Sequence, residues 1–274
     1  MILYKYVSFE VARLIIDSAS IGFSCAEDLN DPFECTAFGF MESKNSRVAT
    51  YAYRGRLSRQ FGVLSLTRQP LNAIMWAHYG CAHQGVVVGF DSVAAGFEHK
   101  ETSIIPSQYG EVIYTSSKPV NISIPNIQEM LTVGNEITDF RADYYNIIKR
   151  AFLYKSLEWG HEEEVRVVKN IKSNLGYHGG GGKFTNPSGE WMKIMPPTLG
   201  RPVYCLSIPD SSIVEVYLGT EVYKNVSRLG SYTREGLDEI LQSWNDKGIE
   251  VLKCEVDHSS WRILASKRNV VSKN

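Results

Sequence analysis

Several things are scarce in this 274-residue chain, and each scarcity excludes something. No apolar run approaches the roughly 20 residues that cross a bilayer; Val86–Val88 falls far short, so no membrane span is expected. The opening segment MILYKYVSFE has no basic stretch followed by an apolar core, and no secretory signal is expected from it. Charge of either sign is not in excess: 29 Lys and Arg face 30 Asp and Glu, for a net charge of −1. Recruitment to nucleic acid by bulk charge is thereby excluded, leaving only a local basic patch. The five cysteines, Cys25, Cys35, Cys81, Cys205 and Cys254, are odd in number and scattered, with no CxxC pair or Cys/His cluster. They suit neither a disulfide framework nor a zinc site and read as reduced, mostly buried thiols of a cytoplasmic protein. GxGxxG, GxxxxGK[ST] and GxSxG are all missing, as are internal repeats and long linkers.

What is present is an ordinary globular composition, 43% hydrophobic, 22% charged and 11% aromatic, ample for a core without metal or disulfides. The length suits one domain over 1–274. Ile2–Tyr6 reads as a strand. Ser8 caps a helix carrying Phe9, Ala12, Leu14, Ile15 and Ile16. Ile21–Ser24 is a second strand, and Asp28–Glu34 a turn, because Pro32 bars Asp31 from helix. Ser46–Gln60 reads as helix, Gly62–Thr67 as strand, Leu71–Tyr79 as a short helix, Gly85–Phe90 as a buried strand and Glu111–Tyr114 as another. Glu136–Ala151 shows the clearest helical period. Glu162–Val168 alternates like a strand, while Tyr177–Ser188, with its run Gly179–Gly182 beside Lys183, reads as a mobile loop. Strands at Val203–Ile208 and Ile213–Leu218, a helix near Arg234–Trp244, and strands at Glu250–Val256 and Trp261–Ala265 complete the chain. Without regular βαβ alternation, the fold class is α+β: mixed, mostly antiparallel sheets around a central cleft, with several flanking helices.

Four segments carry chemistry. In WGHEEEVRVV (Trp159–Val168), strand alternation puts Glu162, Glu164 and Arg166 on one face, neighbours about 6.7 Å apart. Two carboxylates at that spacing repel by about 2.5 kcal/mol at an effective dielectric near 20. The row therefore needs water, a ligand, or Lys155 and Arg166 to offset it. Two readings stand: a solvated, salt-bridged strand face, or a catalytic edge whose carboxylates have split roles. In SLTRQPLNAIMWAHYGCAHQGVVVGFD (Ser65–Asp91), Trp76, His78, Tyr79 and His83 gather at a helix end. Trp76 and Tyr79 suit core packing or ring stacking, and His78 a hydrogen-bonded structural role or a general base. The His78/His83 spacing of five is not that of a helical metal pair, while Ser65 and Thr67 alternate on their strand. In LNDPFE (Leu29–Glu34), Asp31 either caps backbone amides in a turn or orients a base or cation. In LYKY, Lys5 faces away from Tyr4 and Tyr6 and suits a phosphate, a carboxylate or plain solvent.

These segments together resemble the bacterial domain-of-unknown-function family 2971. The resemblance rests on LYKYVS (Leu3–Ser8), FSCAEDLNDPFE (Phe23–Glu34), the Ser65–Asp91 segment, KSLEWGHEEEVRVV (Lys155–Val168) and VEVYLG (Val214–Gly219), spanning about residues 3–220, with 221–274 completing the domain. It implies signature polar residues at Lys5, Asn30, Asp31, Glu34, Trp76, His78, Tyr79, His83, Lys155, Glu162, Glu164 and Arg166. Gly160, His161 and Val165 stand where the family has mostly aromatic or acidic residues, changes expected to alter packing more than chemistry. A second resemblance, of element order only, is to ADP-ribosyltransferases of the diphtheria-toxin and DNA-targeting kind, though Lys5 stands where those enzymes carry His or Arg. That order implies an NAD-using transferase or glycohydrolase, a toxin or phage-defence effector. Glu164, Glu162 and His78 would be catalytic; Lys5, Tyr6, Ser65, Trp76, Tyr79 and Arg166 would bind NAD, and Asp31, Glu34, His83 and Lys155 the substrate. The alternatives are a Mg²⁺-dependent nuclease or hydrolase using Asp31, Glu34, Glu162 and Glu164, and a non-enzymatic module binding a nucleotide or peptide.

Overall fold

The computed structural model describes residues 1–38, 46–119, 131–196, 201–224 and 233–268. Its first half runs β1 (Ile2–Val7), α1 (Phe9–Ser18), β2 (Ser20–Cys25), α2 (Ser46–Ser58), β3 (Phe61–Thr67), α3 (Ala73–His78), β4 (Val86–Asp91) and β5 (Ile113–Thr115). Then come α4 (Tyr145–Phe152), β6 (Tyr154–Ser156), β7 (Glu164–Asn170), β8 (Gly182–Asn186), β9 (Gly189–Ile194), β10 (Val203–Ser207), β11 (Ile213–Leu218), α5 (Arg234–Asp246), β12 (Glu250–Val256) and β13 (Ile263–Lys267). This is an α+β arrangement of mostly antiparallel strands. The chain divides into two compact units, each built from separate stretches: 1–19, 67–95 and 208–274 in the first, 20–66 and 96–207 in the second.

In the first unit the strands lie in the order β13-β12-β11-β4-β1. All pairs are antiparallel except β11 with β12. β4 is central, which is why its sequence VVVGF is apolar on both faces and buried throughout. The Ser8 hydroxyl caps α1 by accepting from the Val11 amide at 3.2 Å, and Ala19 ends it in the left-handed region at φ 44°. α1 buries Phe9, Ala12, Ile15 and Ile16; α5 buries Leu237, Leu241 and Trp244, one helical stripe, with the Phe9 and Trp244 rings 5.6 Å apart.

The second unit orders its strands β3-β2-β10-β9-β8, with β7 also paired to β3, and holds a separate parallel ribbon of β5 and β6. Its core gathers Phe38, Leu57, Phe61, Ile104, Ile105, Ile148, Phe152 and Val168, and the Phe61 and Phe152 rings meet edge to face at 5.8 Å.

Three expectations need correction. The helical period of Glu136–Ala151 yields a helix only from Tyr145, after a 3-10 turn at Ala142–Tyr144, because Ile137 is drawn into a bridge with Val133 and Arg141 is extended. The strand expected from Glu162 starts at Glu164: Glu162 ends a 3-10 helix, Leu157–Glu162, and Glu163 turns the chain at φ 43°. The glycine-rich Tyr177–Ser188 is no loose connection. Its second half is β8, and its first half is clamped by the buried Lys193, whose ammonium donates to the carbonyls of Gly176, Tyr177 and Gly179 at 2.7, 2.9 and 2.6 Å. That loop turns carbonyls toward a cation, the reverse of a phosphate cradle.

Close backbone approach sets the tightest constraint in the first unit. A Cβ on Gly85 would strike the carbonyl oxygens of Val7 and Gly80, whereas one on Gly160, in the second unit, would meet nothing within 4 Å. Gly85→Ala should therefore cost about 2 kcal/mol or more, seen as a melting temperature several degrees lower, while Gly160→Ala should stay within about 0.5 kcal/mol. Equal thermal unfolding of the two variants would contradict this packing.

Candidate functional site

The second unit encloses a group of buried charges. Its construction begins at the turn after β2. The Asp31 carboxylate accepts from the Phe33 amide at 2.9 Å and its carbonyl from the Glu34 amide at 3.2 Å, the capping turn that Asn30–Asp31–Pro32 predicts. Asp31 thus positions Glu34, and both are buried. From the other side comes β7, every residue of which is buried, so Glu164 and Arg166, two apart on one face, must find their partners inside the protein.

They find them in one another and in Glu34. The Arg166 guanidinium grips Glu34 through Nη1 (2.7 Å) and Nη2 (2.5 Å), and Glu164 through Nε (2.8 Å) and Nη2 (3.0 Å). Its remaining N–H donates to the Phe152 carbonyl at 2.6 Å, so all five donors are spent on protein acceptors. None is left for a pyrophosphate, and the NAD contact expected of Arg166 gives way to a positioning role. The Lys155 ammonium lies between the other carboxylates, 2.5 Å from Glu162 Oε2 and 3.3 Å from Glu164 Oε2, with the Trp159 ring centre 4.7 Å away. The Ser65 hydroxyl donates to Glu164 from β3, and the Glu164 amide donates to the Tyr114 hydroxyl at 3.0 Å. The repulsion expected along a solvated row is thus offset by two shared cations, and the solvated-face reading is overturned by burial.

Burial pushes the Glu164 carboxyl up, but the Arg166 and Lys155 charges and the hydrogen bonds from Arg166 and Ser65 prevail and hold it at about 2. Burial likewise works against the Arg166 cation, and Glu164 and Glu34 outweigh it, keeping that guanidinium charged. Desolvation raises the Tyr114 hydroxyl above the usual tyrosine range. Tyr114 and Trp159 join the site unannounced, since neither a tyrosine on a short strand nor a tryptophan in a 3-10 helix carries a sequence signal for such a contact.

Asp31, Glu34, Ser65, Lys155, Glu162, Glu164 and Arg166 all lie in the second unit; Lys5, Tyr6, Trp76, His78, Tyr79 and His83 lie in the first. There Tyr6 donates to the Gln69 carbonyl at 2.7 Å and meets Trp76 edge-on at 5.2 Å. Trp76 is fully buried and its indole N–H donates to the Pro70 carbonyl at 2.9 Å, so it is a core residue with no face left for nicotinamide. The partly buried Tyr79 packs against the same cluster, the His83 ring stacks on Trp76 at 6.4 Å, and His78 is exposed at the end of α3. Lys5 is half-buried on β1. Cys81, Ala82 and His83 are all left-handed, at φ 51°, 52° and 66°. Such backbone costs roughly 1–2 kcal/mol per residue. Hydrogen bonds from the His83 amide to the Trp76 carbonyl (3.2 Å) and from the Glu221 amide to the His83 carbonyl (2.9 Å) hold it.

Of the oxygen donors proposed for Mg²⁺, Glu34, Glu162 and Glu164 meet side-chain cations and Asp31 caps a backbone amide, and among the described residues no group of three His, Cys, Asp or Glu is spaced to hold a metal ion. Removing one partner of so buried a network strands its charges. Arg166→Leu should cost about 3–5 kcal/mol in chemical denaturation, and replacing Glu34, Glu164 and Arg166 together by apolar residues should recover much of that. The Glu164 pKa falls from 4.5 to about 2 on folding, so its contribution is complete above about pH 4.5 and fades as pH drops toward 2. A Glu164→Gln variant whose stability changes with acid as steeply as the parent's would contradict that assignment.

Comparison with known proteins found no matching curated protein and no matching solved structure. Residues 75–167 match the model of a family described as "Protein of unknown function (DUF2971)", a stretch that begins within α3 and ends within β7. That stretch, about a third of the chain, holds Trp76, His78, Tyr79, His83, Lys155, Glu162, Glu164 and Arg166.

Proposed function

We propose that the protein cleaves the nicotinamide–ribose bond of NAD and passes the ADP-ribosyl group to an acceptor or to water. One observation carries this reading: the Ser65 hydroxyl donates to the Glu164 carboxylate across the paired strands β3 and β7. It joins the hydroxyl-bearing strand to the late glutamate, the two features whose order suggested transferase chemistry. Breaking the C–N bond leaves its electron pair on nicotinamide and positive charge on the ribosyl carbon. A carboxylate held ionised down to about pH 2 is suited to face that charge. Glu162, which shares Lys155 with it, orients or deprotonates the acceptor hydroxyl. Arg166 and Trp76, committed within the protein, hold neither pyrophosphate nor nicotinamide in this reading. The same reading makes the chain a cytoplasmic bacterial effector, a toxin or phage-defence protein.

A second reading, a nucleotide-sensing module without turnover, is favoured by a different observation. Both Glu164 oxygens already accept from cations, so its charge is balanced inside the protein. Nicotinamide release from NAD by purified protein separates the two. Glu164→Gln should reduce release by about 10²–10⁴-fold, and Glu162→Gln should abolish transfer while sparing slow hydrolysis. Intact NAD after prolonged incubation with folded wild-type protein and candidate acceptors would end the transferase reading; NAD raising the melting temperature without turnover would establish the sensing one.

A further inference from the structure

The β5–β6 ribbon has two faces. Tyr114 and Lys155 are paired in register and turn toward the buried charges, while Thr115 and Ser156, the next rung, share the opposite face. A hollow of about 180 Å³ opens beside them, lined also by Phe33, Ser116, Ser117 and Lys118. Three features of it point to a ligand. Among the described residues, the hydroxyls of Thr115, Ser116, Ser117 and Ser156 make no hydrogen bond to protein, although all four border one cavity. The Phe33 ring is 59% exposed at the rim, an apolar face with one cation over it. That cation is the Lys118 ammonium, 5.3 Å from the ring centre and 2.8 Å from Thr36 Oγ1. The Thr36 hydroxyl spends its own proton on the Phe33 carbonyl at 2.5 Å, so it can only accept from Lys118. The ammonium is thereby fixed at the rim by two neutral groups, and no carboxylate among the described residues pairs with it.

We propose that this hollow binds a phosphorylated sugar of about pentose size. Clustered hydroxyls exchange hydrogen bonds with sugar hydroxyls, an exposed phenyl ring packs on the C–H face of a sugar, and a point-charge ammonium suits a phosphate. The size sets the limit: drug-sized ligands fill roughly 300–1,000 Å³, so this hollow takes a pentose phosphate and not a whole dinucleotide. The site rests on its own geometry and not on NAD turnover.

Calorimetric titration of the full chain with ribose 5-phosphate, ribose and inorganic phosphate tests it. Ribose 5-phosphate should bind at least ten-fold more tightly than either fragment. Lys118→Met and Phe33→Ser, both at exposed positions, should each weaken it ten-fold or more. No heat with ribose 5-phosphate, equal affinity for inorganic phosphate alone, or binding indifferent to both substitutions overturns the proposal. Protein that leaves NAD intact but binds ribose 5-phosphate with the Lys118 dependence keeps this site and loses the transferase reading.

Discussion

The guanidinium of Arg166 is the constraint around which the second unit is arranged. One planar group, 1% exposed, satisfies two carboxylates and a backbone carbonyl from three separate parts of the chain. Glu34 lies 132 residues away in sequence, and the Phe152 carbonyl belongs to the end of α4. An uncompensated charge at this depth costs far more than an exposed one, so β7, the turn at Asp31–Glu34 and α4 can close only in the register that completes all five hydrogen bonds. The network specifies geometry more than it adds stability, because apolar residues of similar volume often pack as favourably.

From that arrangement follows the state of the glutamates. Glu164 is ionised at any physiological pH and cannot shuttle protons; what it offers is a fixed negative charge. Glu162 reaches the same ammonium by another route, from the end of a 3-10 helix, with the left-handed Glu163 re-aiming the chain between them. Lys155 couples this interior to the ribbon of β5 and β6, whose other face carries Thr115 and Ser156 beside the small cavity.

The first unit is governed differently, by close backbone packing around an aromatic cluster. Trp76 is anchored through its indole N–H, and three successive left-handed residues follow α3, held by amide–carbonyl bonds and by glycines where a Cβ would collide with carbonyls. Gly219, for one, faces the His83 carbonyl.

Local chemistry was legible in the sequence. The Ser8 cap, the Asp31–Pro32 turn, the continuous apolar run of β4 and the shared face of Glu164 and Arg166 all follow from capping, ring constraint and two-residue alternation. Alternation says which residues share a face and not what that face meets. Only the tertiary structure could bury β7 and bring Glu34 and Ser65 to it, turning an apparently solvated charged row into a closed network. It alone cut the Glu136–Ala151 period short at Ile137 and Arg141, and placed non-glycine residues in the left-handed region at Glu163 and Cys81–His83. Those conformations are locally unfavourable, so no local signal announces them; contacts from distant parts of the chain decide them.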